Sequence, residues 1–334
     1  MKLGILGMGC YLPKNEIDND FLHKEVGLEK GPDWVNSRLG IYRRFSVLTK
    51  DYIVKTKNQN PSQGMAHARA HGETPVTMGV KAAKEALKMA GVDPEKVGMV
   101  IANSDTPFDT IPATANLVAK GLGVRSGANC DVNCACSSFA KHMQILSDMR
   151  PERVPEFVLC VQTACYTVRT DYSPHSVDAY IFGDGACAQV LSTRHQGRLT
   201  VEPMIFGTDP DAAESILVDI AGHVVQDGRM VREFSVRKTC EMYEHIAGAK
   251  ELYADEVYTV AHQANYVMQN SVLHHLSLPE DKHLRNVHLQ GNIAAAGCPS
   301  AICQNLDRLH RGDKLVYAVL GAGLAWGGGY MEAN

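Results

Sequence analysis

Residues 131–139 read DVNCACSSF. Two thiols stand two positions apart among Ala, Ser and Asn, and four readings compete: a metal clip, a disulfide half, ordinary core, or a nucleophile. A structural zinc site uses Cys pairs at C-x₂₋₄-C spacing, usually two of them. Here the spacing is C-x-C and no second pair matches it. A bond between Cys134 and Cys136 is not expected, and Cys134 reads as a small buried residue, a common fate of free Cys. Cys136 reads differently. It falls where a strand pattern turns into a helix pattern, and the positive end of a helix favours a thiolate. Its neighbours Ala135, Ser137 and Ser138 are small, as a strand-to-helix nucleophile elbow requires.

Outward from that turn, strand and helix signals alternate. Before it, VTMGVKAAKEALKMAG (76–91) carries an apolar stripe through Val80, Ala83, Leu87 and Ala90 and ends in Gly, a helix with its terminator. GMVIANS (98–104) is a short apolar run typical of a buried strand, and NLVAKGLG reads as helical. After it, SFAKHMQILSDM puts Phe139, Met143 and Leu146 on one helical face, and EFVLCVQT (156–163) is a second buried strand. The C-terminal part repeats the theme. EVYTVAHQA is a strand running into His262, NYVMQNSVLHHL is helical, SAICQNLDRLHRGD is a helix ending at Gly312, and KLVYAVLGAG is a strand ending in glycines. This alternation predicts an α/β fold with mixed or parallel sheets covered by helices. Ligands in such sheets sit beyond the C-terminal ends of the strands. Residues 50–74, KDYIVKTKNQNPSQGMAHARAHGET, break the pattern and read as a polar insertion or lid.

The whole chain is consistent with a folded globular protein. Its 334 residues suffice for two domains or one large unit built in halves. A 45% apolar and 21% charged composition is ordinary for globular proteins. A net charge of −4 exerts no general pull on nucleic acid. No run of about 18 apolar residues suggests a membrane span, and the opening MKLGILGMGCYLP reads as a strand entering a turn rather than a leader. Ten cysteines spread along the chain suit reduced thiols and a cytoplasmic setting.

A nucleophilic thiol needs partners. AHQAN places His262 at a strand end, and LQGNIAAAGCPS places Asn292 in a Gly-flanked turn, each just before a helical segment. GAGLAWGGG (321–329) is rich enough in glycine for its backbone amides to face a ligand.

In their order and spacing, GMGCYLP, DWVNSRLGI, the Cys136 elbow, IFGDGACAQVL, HQAN, GNIAAAGCPSAI and GAGLAWGGG resemble the thiolase-fold condensing enzymes, specifically the ketoacyl-acyl-carrier-protein synthase III family. The resemblance runs nearly end to end. It implies a duplicated five-layer αβαβα fold, with halves at 1–175 and 176–334, and a homodimer. It places the catalytic groups at Cys136, His262 and Asn292, and an oxyanion hole at the backbone N–H groups of Cys136 and Ala322, where the family usually has Gly. Trp34, Arg38 and Arg169 match coenzyme A contacts, and Asn265 matches a pantetheine contact. The substrates implied are an acyl-CoA and a malonyl thioester carried on acyl carrier protein or on CoA. No metal, redox cofactor, nucleic acid or membrane is called for.

Departures from the family suggest a specialised member. Arg232 stands in place of a Phe beside the pantetheine tunnel, Glu233 in place of a basic residue, and Val267 in place of an Arg that docks the acidic carrier. Electrostatic attraction to a carrier protein is expected to be weaker as a result. Ile111 replaces a Phe that bounds the acyl pocket in some members, which makes room for a larger acyl group. Within the same architecture, acyl transfer to O, N or S without carbon–carbon bond formation is the alternative. A papain-like hydrolase also uses Cys, His and Asn, but its elbow sequence is absent here.

Overall fold

The computed structural model describes residues 2–125, 127–248 and 251–334, except for the side chain of Pro203. Nine strands form one hydrogen-bonded sheet. In chain order they are β1 (Leu3–Tyr11), β2 (Val97–Ser104), β3 (Cys130–Asp131), β4 (Phe157–Cys165), β5 (Asp184–Ser192), β6 (Leu199–Thr208), β7 (Val257–Ala261), β8 (Lys314–Gly321) and β9 (Ala325–Ala333). Across the sheet the order is β7-β8-β9-β6-β1-β5-β4-β2-β3. β4, β5 and all but the ends of β2 and β8 are buried on both faces, so they read as apolar runs without alternation.

The sheet has two parts that touch only along a short seam, where Leu3–Ile5 of β1 pairs antiparallel with Leu199–Val201 of β6. The first part ends with β5, whose residues 186–192 pair with β1. The crossover between halves therefore falls at residues 193–198 and not after residue 175. β5 lies after the expected boundary yet belongs to the first sheet.

The main helices fall into three layers around these sheet parts. They are α1 (Pro32–Arg38), α2 (Lys50–Thr56), α3 (Pro61–Ala70), α4 (Pro75–Ala90), α5 (Thr114–Leu122), α6 (Ser138–Asp148), α7 (Gly228–Ala247), α8 (Tyr266–Leu276) and α9 (Gly297–Cys303). α4 and α5 cover the outer face of the first sheet part, in a core that includes Met78, Ala82, Ala86, Val118 and Val161. α6 and α9 fill the space between the two parts, where Phe139, Met143, Cys298 and Ile302 pack with Val158, Val260 and Tyr317. α7 and α8 cover the far face through Tyr243, Val272 and Val316. This is the duplicated αβαβα arrangement expected of the sequence.

Two local readings differ from the structure. Residues 50–74, read as a polar insertion or lid, are not a loop: they form α2 and α3. Thr49 caps α2, accepting from Tyr52 N, and Asn60 caps α3 ahead of Pro61. Ile53 and Ala68 are buried in the outer core. The C-terminal helix does not run to Gly312. It stops at Cys303, and Asn305 donates from Nδ2 to the Ala301 carbonyl (2.8 Å), taking up an acceptor that helix continuation requires.

Candidate active site

The nucleophile turn lies between β3 and α6 and is held by short side chains. Asn133 Oδ1 accepts from Ala135 N (2.8 Å) and from Asn103 Nδ2 (2.9 Å). Ser137 Oγ donates to the Cys134 carbonyl (2.6 Å). Ser138 Oγ donates to the Ala135 carbonyl (2.7 Å) and accepts from Cys134 N (2.7 Å). These bonds fix Ala135 at φ +47°, a left-handed conformation that costs an L-residue about 1–2 kcal/mol. The turn places Cys136 at the start of α6. The other half of the molecule touches it directly. A Cβ on Gly321, at the end of β8, would lie 2.8 Å from Cys136 N and 2.9 Å from Ser137 N.

His262 follows β7. Its N–H donates to the Ala318 carbonyl (2.8 Å), and its carbonyl accepts from Ala264 N (2.9 Å) and Gln269 Nε2 (3.2 Å). Asn292 is fixed by a bridge to the segment that precedes β5: Asn292 N donates to the Ile181 carbonyl (2.9 Å), and Gly183 N donates to the Asn292 carbonyl (3.0 Å). Its side-chain Oδ1 accepts from Ala294 N (2.9 Å). That bond settles the orientation of the amide and leaves Nδ2 as a donor.

Cys136, His262 and Asn292 all line one cavity of about 480 Å³. Its wall beside the thiol is apolar. Tyr166 and Phe182 stack with ring centroids 4.6 Å apart, in a cluster with Ala164, Val224 and Ala294 against which Cys136 packs. No sequence signal distinguished these two aromatics from ordinary core.

The electrostatics of the site are split. Burial lowers the His262 pKa to about 4, so the imidazole is neutral near pH 7. Burial, and then the Asp105 carboxylate, push the Cys136 thiol well above its ordinary value. The resting thiolate expected from the helix terminus is therefore not met, because desolvation and a like charge outweigh the helix end. Asp105 follows β2, accepts from Asn103 Nδ2 (2.8 Å) and keeps a buried, unpartnered Oδ2. Burial raises its own pKa to about 6. All ten cysteines are free. Among the described residues no group of three or more His, Cys, Asp or Glu side chains is placed to hold a metal.

The sequence matches the family described as 3-oxoacyl-[acyl-carrier-protein] synthase III over residues 130–210 and its C-terminal counterpart over residues 249–333. A beta-ketoacyl-[acyl-carrier-protein] synthase III from Bacillus pumilus is 28% identical over 332 residues, covering 98% of this chain and 97% of the relative. One from Aquifex aeolicus is also 28% identical, over 97% of both chains. The crystal structure of the 3-oxoacyl-[acyl-carrier-protein] synthase III from Aquifex aeolicus superposes with a TM-score of 0.84 at 26% identity, over 99% of both chains. The chain belongs to the 3-oxoacyl-acyl-carrier-protein synthase III family. A tetronic acid condensing enzyme shares the fold, with a TM-score of 0.85 at 18% identity over 99% of this chain.

The other family-derived positions divide into two groups. Arg38, Asn265, Arg232 and Ala322 line the cavity. Asn265 Oδ1 caps α8 by accepting from Met268 N (2.8 Å), which leaves its amide nitrogen unspent. Ala322 is not among the residues with positive φ, so its backbone conformation suits Ala without strain. Glu233 pairs with Arg229 (3.0 Å). Trp34, Arg169 and Ile111 do not line the cavity. Trp34 lies one turn back on α1, 6.3 Å from the Tyr180 ring. Arg169 is only 1% exposed, with Nε and Nη1 lacking partners, so in this conformation it is no surface contact for coenzyme A. Ile111 is 83% exposed and lies outside the pocket.

Proposed function

We propose that this protein condenses an acyl group, taken from acyl-CoA onto Cys136, with a malonyl thioester that loses CO₂, yielding a β-ketoacyl thioester. The observation that carries the reading is the shared cavity: a thiol from the first half faces a neutral imidazole and a pinned carboxamide from the second.

In the first half-reaction Cys136 loses its proton and its sulfur attacks the thioester carbonyl. The backbone N–H groups of Cys136 and Ala322 hold the tetrahedral oxyanion, and the CoA thiolate leaves and takes up a proton. In the second, the carbon–carbon bond to the malonyl carboxylate breaks, and its electron pair becomes an enolate on the thioester. His262 Nε2–H and Asn292 Nδ2 donate to the enolate oxygen as charge develops. The enolate carbon attacks the acyl-Cys carbonyl and the Cys136 sulfur leaves. A neutral, desolvated imidazole suits a donor that keeps its proton. The chemistry calls for no cofactor.

Arg38 and Arg232 stand at the cavity wall, and neither forms an ion pair among the described residues. They suit the phosphates of a CoA thioester. With Glu233 and Val267 on the same face, a CoA-borne extender competes with a carrier-borne one in this reading. The chain acts as a homodimer: β3 is the exposed edge of the sheet, and Ile111 presents an apolar side chain outward. Among the described residues no helix is long and apolar enough to cross a membrane.

The test is intact mass spectrometry after exposure to a panel of acyl-CoAs. A gain of one acyl group on the wild type, absent from Cys136→Ala, supports the reading and names the donor class. No gain with any thioester overturns it.

A further inference from the structure

Asn292 is held from behind the cavity wall. The residues on either side of its bridge, Gly183 and Gly291, both press on Arg44. A Cβ on Gly183 would lie 3.1 Å from the Arg44 Cβ, and one on Gly291 would lie 2.9 Å from it and 3.0 Å from the Ile181 carbonyl oxygen. Gly291 also sits at φ +71°, so this approach requires glycine twice over.

Arg44 is 1% exposed. Its Nη2 donates to the Tyr180 carbonyl (2.7 Å), and its Nη1 donates to Asn19 Oδ1 (2.7 Å) and the Ile17 carbonyl (3.3 Å). Among the described residues it has no ion-pair partner, and its Nε is unsatisfied. Burying a guanidinium among neutral acceptors is costly, and an apolar side chain fills such a space at lower cost. What the guanidinium adds is a directional grip on the Tyr180 carbonyl, at the start of the Tyr180–Gly183 segment to which Asn292 is bridged.

We infer that Arg44 is a positioning residue for the decarboxylation half-reaction: it holds the segment 180–183 and the turn 291–292 in register, and so aims the Asn292 amide at the enolate oxygen. The inference rests on the proposed role of Asn292. The turn that presents Cys136 is held by Asn133, Ser137 and Ser138 instead, and none of those hydrogen bonds involves Arg44, so acyl transfer is expected to be the less affected half-reaction.

The test measures the two half-reactions separately in Arg44→Met and Arg44→Lys: acylation of Cys136 by intact mass, and CO₂ release from a malonyl thioester. Displacing a reacting group by about 1 Å costs up to about 100-fold. Arg44→Met is expected to release CO₂ about 10- to 100-fold more slowly, through kcat rather than KM, with acylation within about threefold of wild type. Arg44→Lys, which keeps the charge but loses the fork, should fall between the two. Loss of both half-reactions in proportion, or of neither, overturns the inference. If Arg44→Met does not fold, Gly291→Ala displaces the same turn through a different contact, with the Arg44 Cβ and the Ile181 carbonyl, and must give the same split. A Gly291→Ala protein that loses both activities equally also overturns it. If the wild type itself releases no CO₂, it is the functional reading that fails. If the wild type does and the Arg44 variants show no split, only this inference fails.

Discussion

The two halves place their reactive groups at equivalent points, just before a central helix, yet hold and tune them in opposite ways. Cys136 precedes α6 in a turn stitched by three short polar side chains. Asn292 precedes α9 in a turn held by backbone bonds, two close glycines and a buried arginine. The first half sets a carboxylate, Asp105, against a thiol that must lose its proton. The second buries an imidazole so that it stays neutral and keeps its one N–H. Duplication supplied the geometry twice, and the surroundings gave each copy its own task.

This contrast is best broken by separating acylation from decarboxylation. The largest effect expected is in Cys136→Ala, which should show no acyl mass gain at any time. His262→Ala and Asn292→Ala should acylate near the wild-type rate yet release CO₂ about 100- to 1000-fold more slowly, the scale of a lost oxyanion donor. Variants that lose both activities together would erase the distinction between halves.

A smaller effect is expected where the halves touch. Gly321→Ala drives a methyl against the backbone of the nucleophile turn. Overpacking of this kind costs about 1–3 kcal/mol. It should slow acylation and lower the melting temperature together, in contrast to the His262 and Asn292 variants, which leave acylation intact. An Ala variant with unchanged acylation would show that the contact is slack.

The smallest effect concerns charge. The raised thiol pKa predicts an acylation rate that climbs with pH through the neutral range, with no plateau below about pH 8, near the ordinary thiol value. Above about pH 6 Asp105 is a carboxylate that opposes thiol ionisation. Asp105→Asn should lower the thiol pKa and raise the acylation rate at pH 7 by about three- to tenfold, a shift of up to one pKa unit. A plateau near pH 6 in the wild type, or a slower Asp105→Asn, would mean that the carboxylate helps the thiol.

Much of the fold and the site is legible in the sequence. Long apolar runs and Gly terminators marked the central strands and α4, and small residues around Cys136 marked its turn. His262 and Asn292 stood out by place, one at a strand end and the other in a Gly-flanked turn. The signals for α2 and α3 were also present, in Thr49 and in Asn60–Pro61 as caps, but hydrophobic periodicity is faint in helices this short and polar. Asp105, Arg44, Tyr166 and Phe182 act through contacts between elements far apart in the chain, which no local pattern encodes. Family likeness alone assigned Arg169 to coenzyme A, and only coordinates reveal that its guanidinium is buried.

The most direct test of a site shared by the two halves is stoichiometry. The acyl-Cys136 protein is mixed with malonyl-CoA, or with a malonyl carrier protein, labelled at the free carboxylate, and CO₂ and product are counted together. One labelled CO₂ is expected for each acyl group that leaves Cys136, with the acyl carbon recovered in a β-ketoacyl thioester. Acyl groups that leave without CO₂, and reappear on oxygen, nitrogen or sulfur, would contradict it.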